Sequence, residues 1–263
     1  MGFFDIIIFL NNIRFIGLGN FRELLGDSRF WNSLKNTLYF TLGVVPIGTL
    51  FSLITALYVS KNTGFRKFLR FMFYAPVVCS MTAMGIVWAM LMDPSIGIFA
   101  HGMRLLGVEG FAFLKDPDMA MPLVMLMTIW KTFGLSMVIL VAALQAIPEY
   151  LYEAAILDGA GNFTRFFRIT LPQILPVLGF CLITTTIQSL MVFDQTYIMT
   201  RGGPLFRTET MVQYIYSRAF AISPFRLGYA SCIALMLFII IALVSLLMYR
   251  FFIKREKGAT GDA

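Results

Sequence analysis

Charge is scarce in this chain. Asp, Glu, Lys and Arg together make up 13% of 263 residues, where a soluble domain carries about 25%. So little charge excludes a water-soluble enzyme, a nucleic-acid reader and a disordered regulator. Histidine is scarcer still, and the single His101 excludes a multi-histidine metal site or a histidine-rich diiron centre. The three cysteines, Cys79, Cys181 and Cys232, all lie inside apolar runs and read as small core residues rather than a disulfide framework. No Gly-Lys dipeptide occurs, so the GxxxxGK[ST] phosphate loop is missing. No nucleophile–base pair can be argued from spacing, so an intramembrane enzyme has nothing to support it.

What the chain has is apolar length. Hydrophobic residues make up 59% and the mean hydropathy is +0.80. A spanning helix needs about 20 mainly apolar residues. Five segments meet that test: Asn36–Ser60, Phe68–Met92, Met119–Leu144, Ile174–Met199 and Gly228–Ile253. They hold only four charged residues, Arg70, Lys131, Asp194 and Arg250. The runs are continuous and far longer than the alternating segments of about 10 residues in a membrane barrel. The expected fold is therefore all-α and integral to the membrane, a bundle of five predicted transmembrane helices. Pro46 and Pro76 fall inside spans and are expected to kink them. The excess of 21 Lys and Arg over 14 Asp and Glu suits anionic lipid head groups and partner proteins. No basic cluster suited to nucleic acid appears.

The ends are short. Phe3–Leu10 is apolar but spans only about 12 Å as a helix. Residues Phe15–Lys35 read as short amphipathic helices at the interface, with Trp31 at the head-group level. The expected division is an interfacial segment 1–35, a transmembrane domain 36–253 and a tail 254–263. Basic residues fall in equal number on the two faces, so the positive-inside rule leaves orientation open.

Between the third and fourth spans lies Gln145–Pro172, QAIPEYLYEAAILDGAGNFTRFFRITLP, too polar to span. Pro148 suits a helix start, and Glu149 follows where the helix dipole favours an anion. Leu151, Ala154, Ala155 and Ile156 supply an apolar face of small residues. Gly159 and Gly161 are expected to stop that helix, and Asn162 to cap a second one, FTRFFRI.

Glu153-Ala154-Ala155, three residues, Gly159, nine residues, Ile169, one residue and Leu171-Pro172 resembles the EAA loop of ABC importer permeases. The stretches GLGNF (17–21), FWNSLKNTLYFT (30–41), FDQTYIMTRGGP (193–204) and ETMVQYIYSRAF (209–220) are similar to the sugar-importing branch, the maltose-type and glycerol-phosphate-type permeases. The resemblance implies a prokaryotic inner-membrane subunit with its N-terminus outside and loop 145–172 and tail inside. It implies four kinds of partner: a homologous second permease, an ATP-binding cassette ATPase dimer, an extracytoplasmic solute-binding protein and membrane lipid. ATP and Mg would sit on the ATPase, with no cofactor on this chain. The family usually has one more span before GLGNF. Either that span lies upstream of the present start, as a start inside FFDIIIFL suggests, or this member has only the five-helix core.

In the ATPase-coupling set, the resemblance assigns Glu153 to pairing with a basic group of the ATPase, with Ala154 and Ala155 beside it. Gly159 and Gly161 set the turn. Arg165 and Arg168 contact either the ATPase or phospholipid phosphates. Lys131 lies about 18 Å into its span, where a lone Lys costs about 2.5–3.5 kcal/mol. With Trp130, which can stack on a sugar ring, it lines the substrate pathway or serves intersubunit structure. Thr184, Gln188 and Gln195 form a polar stripe on the fourth span, suited to a neutral polyol or to interhelical hydrogen bonds. Asp194 is expected at the interface, and Gly202-Gly203-Pro204 at a turn that helps receive the binding protein. The rivals are a permease of the same superfamily for an oxyanion, peptide or amino acid, and an ion-coupled secondary transporter. The latter is expected to carry midplane carboxylates, and none is present.

Overall fold

A computed structural model describes residue 2 and residues 4–7, 12–107 and 110–260, with the backbone alone at 4–7, 12–14 and 253–260. The chain opens with an antiparallel hairpin of β1 (Phe4–Ile7) and β2 (Asn12–Phe15), in which Phe4 pairs with Phe15. The regular elements that follow it among the described residues are helical, chiefly α1 (Gly19–Gly26), α2 (Ser28–Val59), α3 (Gly64–Val78), α4 (Met81–Leu91), α5 (Ile98–Leu105), α6 (Ala120–Gln145), α7 (Glu149–Leu157), α8 (Asn162–Arg165), α9 (Leu171–Leu190), α10 (Asp194–Thr200), α11 (Met211–Tyr216) and α12 (Leu227–Thr260). A π-turn, Phe166–Thr170, joins α8 to α9 without a gap, and a second, Ser217–Ala221, follows α11. The interfacial stretch expected over 15–35 is thus one short helix followed by the first turns of a span.

Among the described residues, four helical stretches are long and apolar enough to cross a membrane: Ser28–Val59, Ala120–Gln145, Asn162–Leu190 and Leu227–Phe252. A fifth crossing follows if the α3–α4 pair counts as one broken span. The protein is a multi-pass α-helical membrane protein.

Two expected spans are not single helices. Phe68–Met92 breaks at Cys79 and Ser80, which are both extended (φ −70°, ψ 150° and φ −60°, ψ 137°). Pro76 sits inside the last turn of α3 and lacks the N–H that would continue the ladder. Pro46, by contrast, lies within a continuous α2. The fourth span ends at Leu190 rather than Met199, and α10 starts afresh at Asp194 after a non-helical Phe193 (φ −143°, ψ −62°). The carbonyls freed there are taken by hydroxyls: Thr210 donates to Val192 O (2.8 Å) and Thr196 to Phe193 O (2.9 Å). Irregular backbone survives in an apolar setting only when its polar groups are satisfied in this way.

The chain forms two compact units, and both take stretches of the long helices. Unit 1 holds residues 1–44, 80–128 and 187–244. Its core packs Leu24, Phe30, Met211, Tyr214, Tyr229, Cys232, Ile233 and Leu237. Unit 2 holds residues 45–79, 129–186 and 245–263 and is built on Ala56, Val59, Phe133, Met137, Leu140, Val141 and Cys181. Cys181 and Cys232 are core residues, but Cys79 is exposed at the break in the second span.

Candidate functional site

The 145–172 loop belongs to unit 2 and folds as two short helices. Pro148 is the N-cap of α7 and Glu149 its first residue, so the carboxylate lies where free N–H groups favour it. The helix ends in a Schellman cap. Gly159 takes the left-handed conformation (φ 76°), its N–H bonds Ile156 O (3.0 Å), and the next N–H, of Ala160, reaches back to Ala155 O (2.8 Å). Any side chain at 159 would strain that backbone.

Two details differ from expectation. Gly161 is extended (φ −69°, ψ 168°) and starts α8 as its N-cap, so it is not a second stop. Asn162 is the first residue of α8, not its cap, and no side chain caps that end. Its Oδ1 instead accepts from the Arg165 guanidinium. The physical reason is the Schellman turn, which reverses the chain within Gly159 and Ala160 and leaves Gly161 to lead into the new helix.

Beyond α8 the π-turn runs straight into α9, and π-turns often mark functional positions. Thr170, buried in that turn, donates to Arg165 O (3.5 Å) and accepts from the Tyr152 hydroxyl (2.9 Å). Tyr152 is on α7, so this bond ties α7 to the head of the 20-residue apolar helix α9. Neither residue stands out in the sequence. The available signal is a buried-type hydroxyl, Thr170, directly before Leu171-Pro172.

The exposed part of the loop mixes large apolar side chains with three carboxylates, Glu149, Glu153 and Asp158. Leu157 is 89% exposed. Tyr150, Ile156 and Phe163 are also largely exposed, as are Glu153, Ala154 and Arg168. Ala155 and Arg165 are half-buried. Among the described residues Glu153 makes no hydrogen bond or ion pair, and so much exposed apolar area on a short polar loop marks a contact surface.

The five residues expected to line a pathway fall in both units, Trp130, Lys131 and Thr184 in unit 2 and Gln188 and Gln195 in unit 1. Trp130 is partly exposed, while Lys131, its neighbour on α6, is only 7% exposed. The Lys131 ammonium donates to Val77 O (3.3 Å). Thr184 spends its hydroxyl on its own helix, at Phe180 O (2.9 Å), and Gln188 is exposed. Gln195 is buried on α10, past the break at Met191–Phe193, so the stripe predicted across 184–195 is cut in two. A helix that stops at Leu190 cannot carry one face on to residue 195. Asp194 is exposed in the first turn of α10, where the dipole favours it.

Unit 1 contains the other ordered site. Arg29, at the start of α2, grips Glu209 with two bonds (Nε 2.7 Å, Nη2 2.6 Å), and its guanidinium lies 4.3 Å from the Phe206 ring centre. Asn36 donates to Phe206 O (2.8 Å) and Glu209 O (3.0 Å), and Asn32 donates to Phe206 O (2.9 Å). Thr37 accepts the Met211 N–H (2.9 Å). Arg201, Leu205 and Phe206 all have positive φ (51°, 51° and 58°). Such backbone persists only where its surroundings over-determine it, and here the Asn and Arg side chains do so. The stretches FWNSLKNT and RGGP–ETM are therefore two halves of one structure.

A second polar knot lies beneath it. The Tyr214 and Tyr229 hydroxyls both donate to Asp27 Oδ2, Tyr229 at 2.5 Å. Burial raises the Asp27 pKa, but those two bonds and the backbone N–H groups of Arg29 and Phe30 outweigh it and hold the carboxyl below its usual value. Arg226 pairs with Glu23 (2.5 Å); that bond comes first among the causes that depress the Glu23 pKa, against a smaller opposing effect of burial. Unit 1 also has a cleft of about 500 Å³ lined by Asp93, Lys115, Thr200 and Arg201 among others.

The family described as "Binding-protein-dependent transport system inner membrane component" matches residues 48–257, which takes in the capped loop and four of the spans. The chain belongs to this family. As a member it is a permease of the inner membrane. It is 35% identical to the sulfoquinovosyl glycerol transport system permease protein SmoG of Agrobacterium fabrum, over 85% of this chain and 72% of that one. It is 32% identical to the lactose transport system permease protein LacF of Rhizobium radiobacter, over 93% of this chain and 83% of that one. The permease fold also superimposes on a crystal structure of a bacterial ABC transporter that imports the acidic polysaccharide alginate, with a TM-score of 0.83 at 24% identity, covering 91% and 84% of the two chains.

Proposed function

We propose that this permease is the membrane-spanning subunit of an ATP-driven importer for a sugar or related polyol. It would work with a second permease, a pair of ATPase subunits that bind ATP and Mg, and an extracytoplasmic solute-binding protein. The relatives named for sulfoquinovosyl glycerol and lactose transport support the sugar class. The observation that carries the mechanism is the α7 surface. It has an exposed carboxylate, Glu153, beside exposed Leu157 and Ala154, on a helix tied through Tyr152 and Thr170 to α9.

In this reading the loop faces the cytoplasm and α7 seats in the ATPase. Glu153 pairs with a basic group there, Ala154 and Ala155 allow close approach, and Gly159 holds the turn. Arg168 meets the ATPase or lipid phosphates, and Arg165 steadies α8 through Asn162. ATPase closure then moves α7, and the Tyr152–Thr170 bond delivers that movement to α9. The chain itself carries out no chemistry; hydrolysis is the partner's. Trp130, Thr184 and Gln188 remain the candidates for substrate contact, and the 200–211 turn is the surface offered to the binding protein.

The test is Glu153→Ala in the reconstituted complex. Substrate-stimulated ATP hydrolysis is expected to fall while the binding protein keeps its affinity for solute. Normal stimulation in that variant removes Glu153 from coupling. A chain that purifies without an ATPase, and whose uptake collapses with a protonophore but not on ATP depletion, would be a secondary transporter instead.

A further inference from the structure

Lys131 is a buried cation on an apolar helix, and among the described residues no carboxylate lies within ion-pair distance of it. What it has is the end of a helix. An α-helix leaves its last four carbonyls without partners, and in an apolar span each one left unpaired is costly. At the end of α3 three of these four are bonded among the described residues. Ala75 O accepts from the Cys79 thiol (3.8 Å), Pro76 O accepts the Cys79 N–H (3.3 Å), and Val77 O accepts from Lys131 Nζ (3.3 Å). The ammonium therefore lies against the negative end of the α3 dipole, which replaces a counter-ion.

The contact is built from both sides. Gly134 is one turn beyond Lys131 on α6, and a Cβ there would lie 2.4 Å from Phe73 O. The missing side chain brings the α6 backbone against α3, and the long one three residues away reaches the end of α3. Unit 2 repeats the device at the end of α2: Arg70 donates to Val59 O (2.8 Å) and Ser60 O (2.9 Å), the carbonyls that close that helix. Two cations in apolar segments thus serve two helix ends.

We infer that Lys131 is a positioning residue that keeps the second span in its broken form, by satisfying the carbonyl end of α3, and is not a substrate-contacting residue. The inference rests on the transport reading only for its uptake measurement; the measurement on the break stands without it. The experiment uses the complete importer, purified with its partners, and compares wild type with Lys131→Met and Lys131→Arg. Hydrogen exchange is followed at residues 77–81, and uptake by the same preparations is measured in proteoliposomes. In Lys131→Met, exchange at the end of α3 is expected to quicken by about tenfold or more, as loss of a charge-assisted bond implies. Maximal uptake should fall while the KM for solute holds. Lys131→Arg should restore both.

Exchange at 77–81 that is unchanged or slower in Lys131→Met overturns the inference. So does a changed KM or solute preference with unchanged exchange, which would return Lys131 to the pathway. If Lys131→Met does not assemble, Lys131→Ala removes the donor with less bulk, and wild-type behaviour of that variant in both measurements overturns the inference equally. Quickened exchange in a preparation whose wild type shows no ATP-driven uptake would sink the transport reading and leave the role of Lys131 standing.

Discussion

The two units hold irregular backbone by different means. Unit 1 has its loops and broken helices tied by side chains to backbone: Asn32, Asn36, Thr37 and Thr210 each bond a main-chain group across the turn, and Arg29–Glu209 locks it. Unit 2 depends on apolar packing and close helix approach, with single cations at helix ends. Its 145–172 loop makes few long-range bonds and leaves its apolar side open. The strained turns of unit 1 are stitched internally, whereas the unit 2 loop leaves Glu153 and its large apolar side chains exposed.

That contrast can be broken most severely at Glu209. Its side chain is 2% exposed, so Glu209→Ala leaves the Arg29 guanidinium without its anion, and breaking such a pair costs about 3 kcal/mol. A marked drop in the thermal midpoint of the solubilised complex is expected, with much of it regained in the double variant Arg29→Met, Glu209→Met. A midpoint equal to wild type would mean that the turn is held by the Asn side chains alone.

Gly134→Ala is the matching test of unit 2. The added methyl meets Phe73 O and the Val77 side chain (3.0 Å), and overpacking of this kind costs about 1–3 kcal/mol. It should lower the thermal midpoint and quicken exchange near residue 77. Exchange and stability like wild type would show that α3 and α6 have room to part.

Acid sharpens the comparison further. The Asp27 pKa in the folded protein lies below its ordinary value. Its contribution is therefore complete above the unfolded pKa and is lost as pH falls through the folded one. Glu23 behaves in the same direction. From about pH 4 downward, unit 1 should loosen first, seen as exchange at residues 211–216 rising before exchange at 133–141. Simultaneous loss in both would contradict it. The smallest effect belongs to Glu153→Ala, whose exposed side chain should leave the stability within about 0.5 kcal/mol of wild type, and so the thermal midpoint nearly unchanged, while stimulated hydrolysis falls. A clear destabilisation there would mean that α7 is held by the carboxylate itself.

Much of this was legible in the residues. Apolar length located the crossings, because a span must satisfy its backbone internally and can do so only as a long helix. The spacing from Glu153 to Pro172 located the two short helices and the glycine turn, since Gly159 is required wherever the chain takes a left-handed cap. A kink near Pro76 was legible, but a full break at Cys79–Ser80 was not, nor was the break at Met191–Phe193. What each break adds is a donor from elsewhere: Lys131 for Val77 O, Thr210 for Val192 O.

The sequence alone determined that this is a multi-span membrane protein with a polar loop of a recognisable permease type, because composition and spacing act locally. The tertiary structure alone decided what its rare polar residues are for. Lys131, Arg70, Asn36 and Glu209 read equally well as pathway, partner or surface groups until their hydrogen-bond partners are seen. For the three donors these are main-chain carbonyls and for Glu209 it is the Arg29 guanidinium, between 9 and 180 residues away along the chain, and in an apolar medium a polar side chain goes where an unsatisfied group needs it.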